Sequence, residues 1–266
     1  MAFQELKQKQ GVMWGSGPYQ NVTDTIQDLH EVVLERLAPS GGERWLDLAC
    51  GTGAVAERAA RAGVHVTGVD LAPALIETAR ERAAEQGLEI DYRVGDCERL
   101  DGIEDGSFDI VSSVCGVMFA PDHEATAREL GRVTKSGGRL ALVNWEPEGG
   151  VGKMFAMMKP FQPPPPEGAG VPFDWGRPEH VEKLLGDDFE LEFDEGISTY
   201  SPSSGEEYWQ VFSTSYGPTK ALADTLGDRR EEFHRTWADF FEESYPGADG
   251  GIEHTREYLL VLGTRR

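Results

Sequence analysis

The chain has no apolar run approaching the roughly 20 residues that span a bilayer, and its opening stretch, MAFQELKQKQ, lacks the apolar core of a secretory signal. No membrane span is therefore expected, and a cytoplasmic location is. Cysteine is scarce. Cys50, Cys97 and Cys115 are an odd number, with no CxxC spacing and no paired histidines, which argues against a disulfide framework and against a zinc site. No metal is expected, and a reducing compartment fits. Cations are few as well: 25 Lys+Arg against 47 Asp+Glu give a formal charge of −22. Such a chain repels a phosphate backbone, so nucleic acid is not expected as a partner. No internal repeat supports an array architecture.

What is present is enough for one large domain: 266 residues, 39% of them apolar. Between residues 43 and 145 short apolar runs alternate with helical patterns. RWLDLA is followed by a helix near 54–62, VHVTGVD by a helix near 73–86, then come EIDYRV, FDIVSSV, a helix near 123–134 and GRLALVNW. This alternation predicts a parallel sheet with crossover helices. Pro73 stands where a first helical turn tolerates proline, and Gly87 and the Gly137-Gly138 pair are read as helix ends.

Upstream, residues 24–37 carry Ile26, Leu29, Val32, Val33 and Leu37 on a helical period, with GVMWGSGPYQ before them read as a loop. Downstream of Trp145 a Gly- and Pro-rich stretch containing Pro163–Pro166 leads into aromatic-rich helices; the prolines read as a stiff linker rather than a partner-binding site. The late runs FELEF and REYLLVLGT are expected to complete the sheet. The chain thus divides into an N-terminal helical cover (1–42), a core (43–146) and a cap or substrate region with the final strands (147–266), all within one integrated domain.

The strongest local signal is Leu46-Asp47-Leu48-Ala49-Cys50-Gly51-Thr52-Gly53, a strand that runs into two glycines and a helix. Glycines permit close approach of a ligand, and the helix N-terminus presents free N–H groups. GTGAVA also satisfies the GxGxxA form of a dinucleotide fingerprint. Asp47 discriminates: an acid there sits badly beside a pyrophosphate but suits a ligand end carrying an ammonium and a sulfonium, as S-adenosylmethionine (SAM) does. Asp70, ending the second strand, can accept from both ribose hydroxyls, and Leu71 can cover one adenine face. Asp96, in Gly95-Asp96-Cys97, can accept from the adenine amino group, and 111–116 end the fourth strand against the methionine moiety.

Together, LDLACGTG, the acid ending VTGVD, GDCERL, FDIVSSVCGVMFAPD and ELGRVTKSGGRLALVNW resemble the successive motifs of class I SAM-dependent methyltransferases. Among these the chain most resembles the small-molecule group related to ubiquinone and menaquinone biosynthesis methyltransferases. The resemblance covers about 43–146. It implies a Rossmann-like class I fold: a seven-stranded, mostly parallel sheet with helices on both faces and a helical cap insertion. It further implies SAM as cofactor, S-adenosylhomocysteine (SAH) as product, and methyl transfer to a small-molecule acceptor. By the same resemblance Asp47, Gly51 and Gly53 hold the methionine end, Asp70 and Leu71 the ribose and adenine, and Asp96 and Cys97 the adenine edge; Ala49 is a further cofactor-binding residue, and backbone at Val114 completes the pocket. The chain departs from the family at Ser136, where a proline commonly precedes the glycine pair.

Methyl transfer from a sulfonium is an in-line displacement that depends on alignment more than on functional groups. Candidate bases or substrate contacts are His123, Tyr19 and Glu146. His123 has an alternative reading as a solvent-facing residue of a first helical turn; Tyr19 and Trp14 are read as pocket covers, Trp14 on the substrate side, or else as ordinary packing. Met118 and Phe119 are read either as an apolar wall facing an apolar or aromatic acceptor or as core. The three cysteines are read as space-filling, and Lys220 as solvated rather than facing an anionic substrate. Two other classes stay open from the residues alone: an NAD-dependent oxidoreductase, which Asp47 disfavours, and a noncatalytic SAM-binding protein. Replacing Asp70 by alanine is expected to weaken SAM binding by about 1–3 kcal/mol through lost charge-assisted hydrogen bonds; calorimetry showing unchanged affinity would remove the ribose assignment.

Overall fold

The computed structural model describes residues 3–266. Three helices precede the sheet: α1 (Gln4–Trp14), the single turn α2 (Gln20–Thr23) and α3 (Gln27–Leu37). The alternating region follows as β1 (Arg44–Leu48), α4 (Ala54–Arg61), β2 (His65–Asp70), α5 (Pro73–Glu85), β3 (Asp91–Val94), β4 (Phe108–Val114), α6 (His123–Val133) and β5 (Thr134–Trp145). The remainder is α7 (Gly150–Met158), α8 (Pro178–Leu185), β6 (Phe189–Tyr200), α9 (Gly205–Ser215), α10 (Gly217–Thr225), α11 (Arg230–Ser244) and β7 (His254–Arg265). Among the described residues no helix is long and apolar enough to cross a membrane.

The seven strands form one sheet in the order β3-β2-β1-β4-β5-β7-β6, parallel except for β7, which runs antiparallel to both neighbours. The order reverses between β1 and β4, the point at which sheets of this kind bind ligands beyond the strands' carboxyl ends. β1, β4 and β5 are buried on both faces, as their near-continuous apolar runs require. β6 lies at the edge and turns Glu190, Glu192 and Asp194 outward or toward the rim, charges that discourage further strand pairing.

Two local expectations are corrected. GVMWGSGPYQ is not a loop throughout: residues 11–14 belong to α1 and Gln20–Thr23 to α2. α1 has little apolar periodicity, and packing decides its conformation. Gly11 brings it so near the Leu71 carbonyl that an added Cβ would stand 3.1 Å from that oxygen. The Gly137-Gly138 pair does not end a helix. α6 stops at Val133, and the glycines lie inside β5, in an irregularity that shifts the register between Phe108 and Ile110.

The cap region is tied to the sheet by a continuous apolar core. Tyr208, Trp237, Phe233 and Phe241 are fully buried and pack together, Tyr208 tilted against Phe241 with centroids 4.1 Å apart and edge-on to Trp237 at 5.5 Å. On the other side of the molecule Tyr92, from β3, fills the space over Gly53 and Gly68. A Cβ on Gly53 would collide with the Tyr92 hydroxyl, and Gly53 has φ +88°. Gly53→Ala is therefore expected to destabilise the fold by about 1–3 kcal/mol, read as a lower denaturant midpoint; an unchanged midpoint would contradict the packing described.

Candidate cofactor and acceptor site

A cavity of about 980 Å³, counting its open mouth, lies over the carboxyl ends of β1, β2 and β4 and is roofed by α1 and α2. Two turns shape its floor. Ala49 (φ 51°) and Cys115 (φ 50°) are left-handed although neither is glycine, a strained conformation kept only where packing enforces it. The turns touch: a Cβ on Gly116 would stand 2.5 Å from the Ala49 Cβ.

Asp47, 2% exposed, accepts from the Ser112 hydroxyl at 2.8 Å, and Ser112 accepts from the Trp45 indole at 2.8 Å. Burial pushes the Asp47 carboxyl up to about 7, and among the described residues no basic side chain lies within ion-pair distance of it. Asp70 accepts from the Gly51 amide at 2.9 Å and the Ala72 amide at 2.8 Å, which fixes both carboxylate oxygens at the cavity edge; burial raises its carboxyl despite these bonds. Ala49, Gly51, Leu71, Asp96, Cys97 and Val114 also line the cavity.

At the far end Lys7, from α1, reaches both Asp96 (2.6 Å) and Glu98 (2.5 Å). Glu98 in turn accepts from the Asp122 amide at 2.7 Å, and Gln10 donates to the Phe119 carbonyl at 2.9 Å. Three basic or amide groups of the N-terminal helices thus face the cavity without any trace in the sequence motifs: Lys7, Gln10 and, from α3, His30. Their partners lie far away in the chain, Asp96 being 89 residues from Lys7.

Aromatic rings close the end near Cys115. Trp14 stands edge-on to Tyr19 (5.9 Å), Phe119 (4.9 Å) and Tyr216 (5.6 Å). Burial holds the Tyr19 phenol well above its usual range and keeps the thiols of Cys50, Cys97 and Cys115 high, Cys97 to about 12.

Other candidates are not brought to the cavity. Gly53 makes room for Tyr92. Met118 is core, fully buried beneath the turn it occupies. His123 is neither solvent-facing nor in the cavity: its Nδ1 lies 3.0 Å from His180 Nε2, its ring is edge-on to Trp175, and burial, then His180, lowers it to about 4. Glu146 is also outside, where burial and Glu195 raise its carboxyl. Lys220 pairs with Asp224 at 2.6 Å.

The sequence pattern of the methyltransferase domain family matches residues 46–142, the segment that supplies Asp47, Asp70, Asp96 and Val114. An uncharacterized protein of Mycobacterium tuberculosis is 33% identical over 269 residues, 99% of this chain and 96% of its own length. A ubiquinone biosynthesis O-methyltransferase of Xanthomonas axonopodis is 42% identical over 112 residues, 42% of this chain and 46% of its own. Residues 46–142 of the chain belong to the methyltransferase domain family. The fold agrees. The YcgJ protein of Bacillus subtilis superposes with a TM-score of 0.62 at 20% identity, covering 89% of this methyltransferase and 97% of that chain. Geranyl diphosphate C-methyltransferase of Streptomyces coelicolor, solved with SAH, superposes with a TM-score of 0.56 at 17% identity, covering 90% and 76%. The geranyl diphosphate enzyme was solved with SAH, and the present cavity offers groups whose chemistry suits a SAM-type ligand: a buried acid without a cation, Asp47, and a second acid at the end of β2.

The position of Asp47 sets a pH dependence. If Asp47 receives the ammonium of the methionine end, it does so as the carboxylate, and with a carboxyl near 7 that form is lost as pH falls. SAH affinity of this methyltransferase is expected to weaken about tenfold from about pH 8 to about pH 6, measured by calorimetry, with a flat profile for Asp47→Asn. A flat wild-type profile would contradict the pairing.

Proposed function

We propose that the acceptor is a small apolar or aromatic molecule that arrives already nucleophilic, and that this methyltransferase aligns it without a general base. The observation that carries this reading is the wall of Trp14, Tyr19, Phe119 and Tyr216 beside Cys115, together with the protonation state of what lines it. Tyr19 and Cys115 keep their protons through the ordinary pH range and serve as donors, not bases. His123 faces His180 instead.

In this assignment Asp47 takes the ammonium of the methionine end, Asp70 the ribose hydroxyls with Leu71 against the adenine, and Asp96 the adenine amino group. Lys7 aims the Asp96 carboxylate, since its ammonium donates to one oxygen while the Glu98 amide donates to the other. The bound sulfonium supplies an electrophilic methyl, whose bond to sulfur breaks as its bond to the acceptor forms. The aromatic rings exclude water and fix the approach, which is where most of the rate of such a transfer arises.

A charge of −22 supports an acceptor other than nucleic acid, and three unpaired thiols support a reducing, cytoplasmic setting. The test is a pH–rate profile with labelled SAM and acceptors of graded pKa, drawn from phenols, thiols and amines. The rate is expected to follow the ionisation of the acceptor itself, and Tyr19→Phe to keep at least about a tenth of the wild-type rate. A rate that follows one protein group whatever the acceptor, or a loss of more than about a hundredfold in Tyr19→Phe, would contradict the reading.

A further inference from the structure

We propose that the pocket between α3, α4 and α5 is a second binding site, separate from the cofactor cavity, and that it takes a small polyanion of the phosphate class on Arg58, Arg61 and His30. The proposal does not depend on the acceptor assigned above.

Helix periodicity builds this pocket, whose volume is about 710 Å³ counting its open mouth. Ala54, Arg58 and Arg61 follow one another at spacings of four and three on α4, Arg82 and Gln86 at four on α5, and Gln27 and His30 at three on α3, so each helix turns one face to the same space. Thr23, His30 and Ala54 line this pocket on one side and the cofactor cavity on the other. The two spaces are neighbours with a common wall.

Cations are scarce in the chain, 25 Lys+Arg against 47 Asp+Glu, yet the described residues lining this pocket include three arginines and two acids, Asp24 and Glu57. Glu57, 3% exposed, accepts from Arg82 through both carboxylate oxygens, at 2.9 and 3.2 Å, and the two neutralise each other. Arg61 stands 3.7 Å from the same carboxylate and donates to the Gln86 side-chain carbonyl through the same nitrogen, so its other nitrogens have no partner among the described residues. Asp24 accepts from Gln20 at 2.6 Å and Gln27 at 3.4 Å. Arg58 donates to the Ala54 carbonyl at 3.0 Å, and among the described residues no carboxylate lies within ion-pair distance of it. Positive charge is therefore in excess here, on one face of α4, against the trend of the whole chain.

His30 is the independent sign of a ligand. Its side chain is 4% exposed, it borders the pocket, and its Nδ1 has no partner among the described residues. Burial, and then the charge of Arg58, lowers it to about 3, so it is a neutral imidazole with one N–H to donate. A buried polar group with nothing to answer it is costly, and an anion seated on Arg58 answers the ring and the guanidinium together. Guanidinium forks match paired oxygens. A phosphate carries oxygens on several sides and can meet Arg58 and Arg61 at once, which the two oxygens of a single carboxylate do less well.

The test is calorimetric titration with inorganic pyrophosphate at fixed ionic strength, on the protein alone and on the protein saturated with SAH. One saturable site per chain with a Kd below about 1 mM is expected, and it is expected to persist when SAH is present. Arg58→Met is expected to weaken pyrophosphate about tenfold and Arg58→Lys to keep part of the affinity, while SAH affinity stays within about twofold in both. Arg61→Met, at an exposed position, is expected to lose about threefold and gives a second reading that does not hinge on the folding of Arg58→Met. ADP in place of pyrophosphate separates the sources: tighter ADP marks a phosphorylated metabolite and tighter pyrophosphate a free inorganic anion, and either supports the site. No saturable binding, binding that SAH displaces, or wild-type pyrophosphate affinity in the folded Arg58→Met and Arg61→Met variants would overturn the proposal.

Discussion

Taking a carboxylate out of water with no cation beside it costs several kcal/mol, and the structure does this at Asp47, in the middle of the sheet and at the point where strand order reverses. Everything around the crevice accommodates that acid. Ser112, held by the Trp45 indole, offers it one hydroxyl. The Ala49 and Cys115 turns bend left-handed and press together through Gly116, which keeps the carboxyl ends of β1 and β4 from closing over it. Burial holds its carboxyl near 7, so under the assignment proposed above the arrival of an ammonium would be coupled to loss of that proton.

The opposite end of the cavity is arranged by the reverse device. Asp96 and Glu98 are acids with a cation supplied, and the cation comes from α1. This helix has no strong apolar stripe to fasten it. It is fixed instead by the Lys7 ion pairs, the Gln10 bond to Phe119 and the contact of Gly11 with Leu71. Because α1 ends at Trp14, the residue that touches Tyr19, Phe119 and Tyr216, one short helix joins the adenine end to the acceptor end. In a chain of charge −22, such a local cation between two acids stands out against its surroundings.

Much of this was legible in the sequence. The alternation of strands and helices, the seven-stranded sheet and the acids Asp47, Asp70 and Asp96 follow from local patterns, because each acid ends a strand that its own neighbours specify. The failures share a cause. Gly53 reads as cofactor space, yet its missing side chain serves Tyr92, 39 residues onward in the sequence. His123 reads as a base, but its partner His180 belongs to the cap and draws it away from the cavity. Met118 points into the core. Lys7 and Gln10 carry no motif, since what matters about them is the distance to groups on other elements. Periodicity and turn chemistry report the strand on which a residue sits, whereas the charge it meets is decided by packing.

The measurement that bears most directly on the central claim is calorimetric titration of the purified protein with SAH and, separately, with NAD. An uncompensated acid at the glycine turn predicts micromolar binding of SAH and none of NAD, whose pyrophosphate would meet Asp47. Binding of NAD, or of neither ligand, would contradict the account.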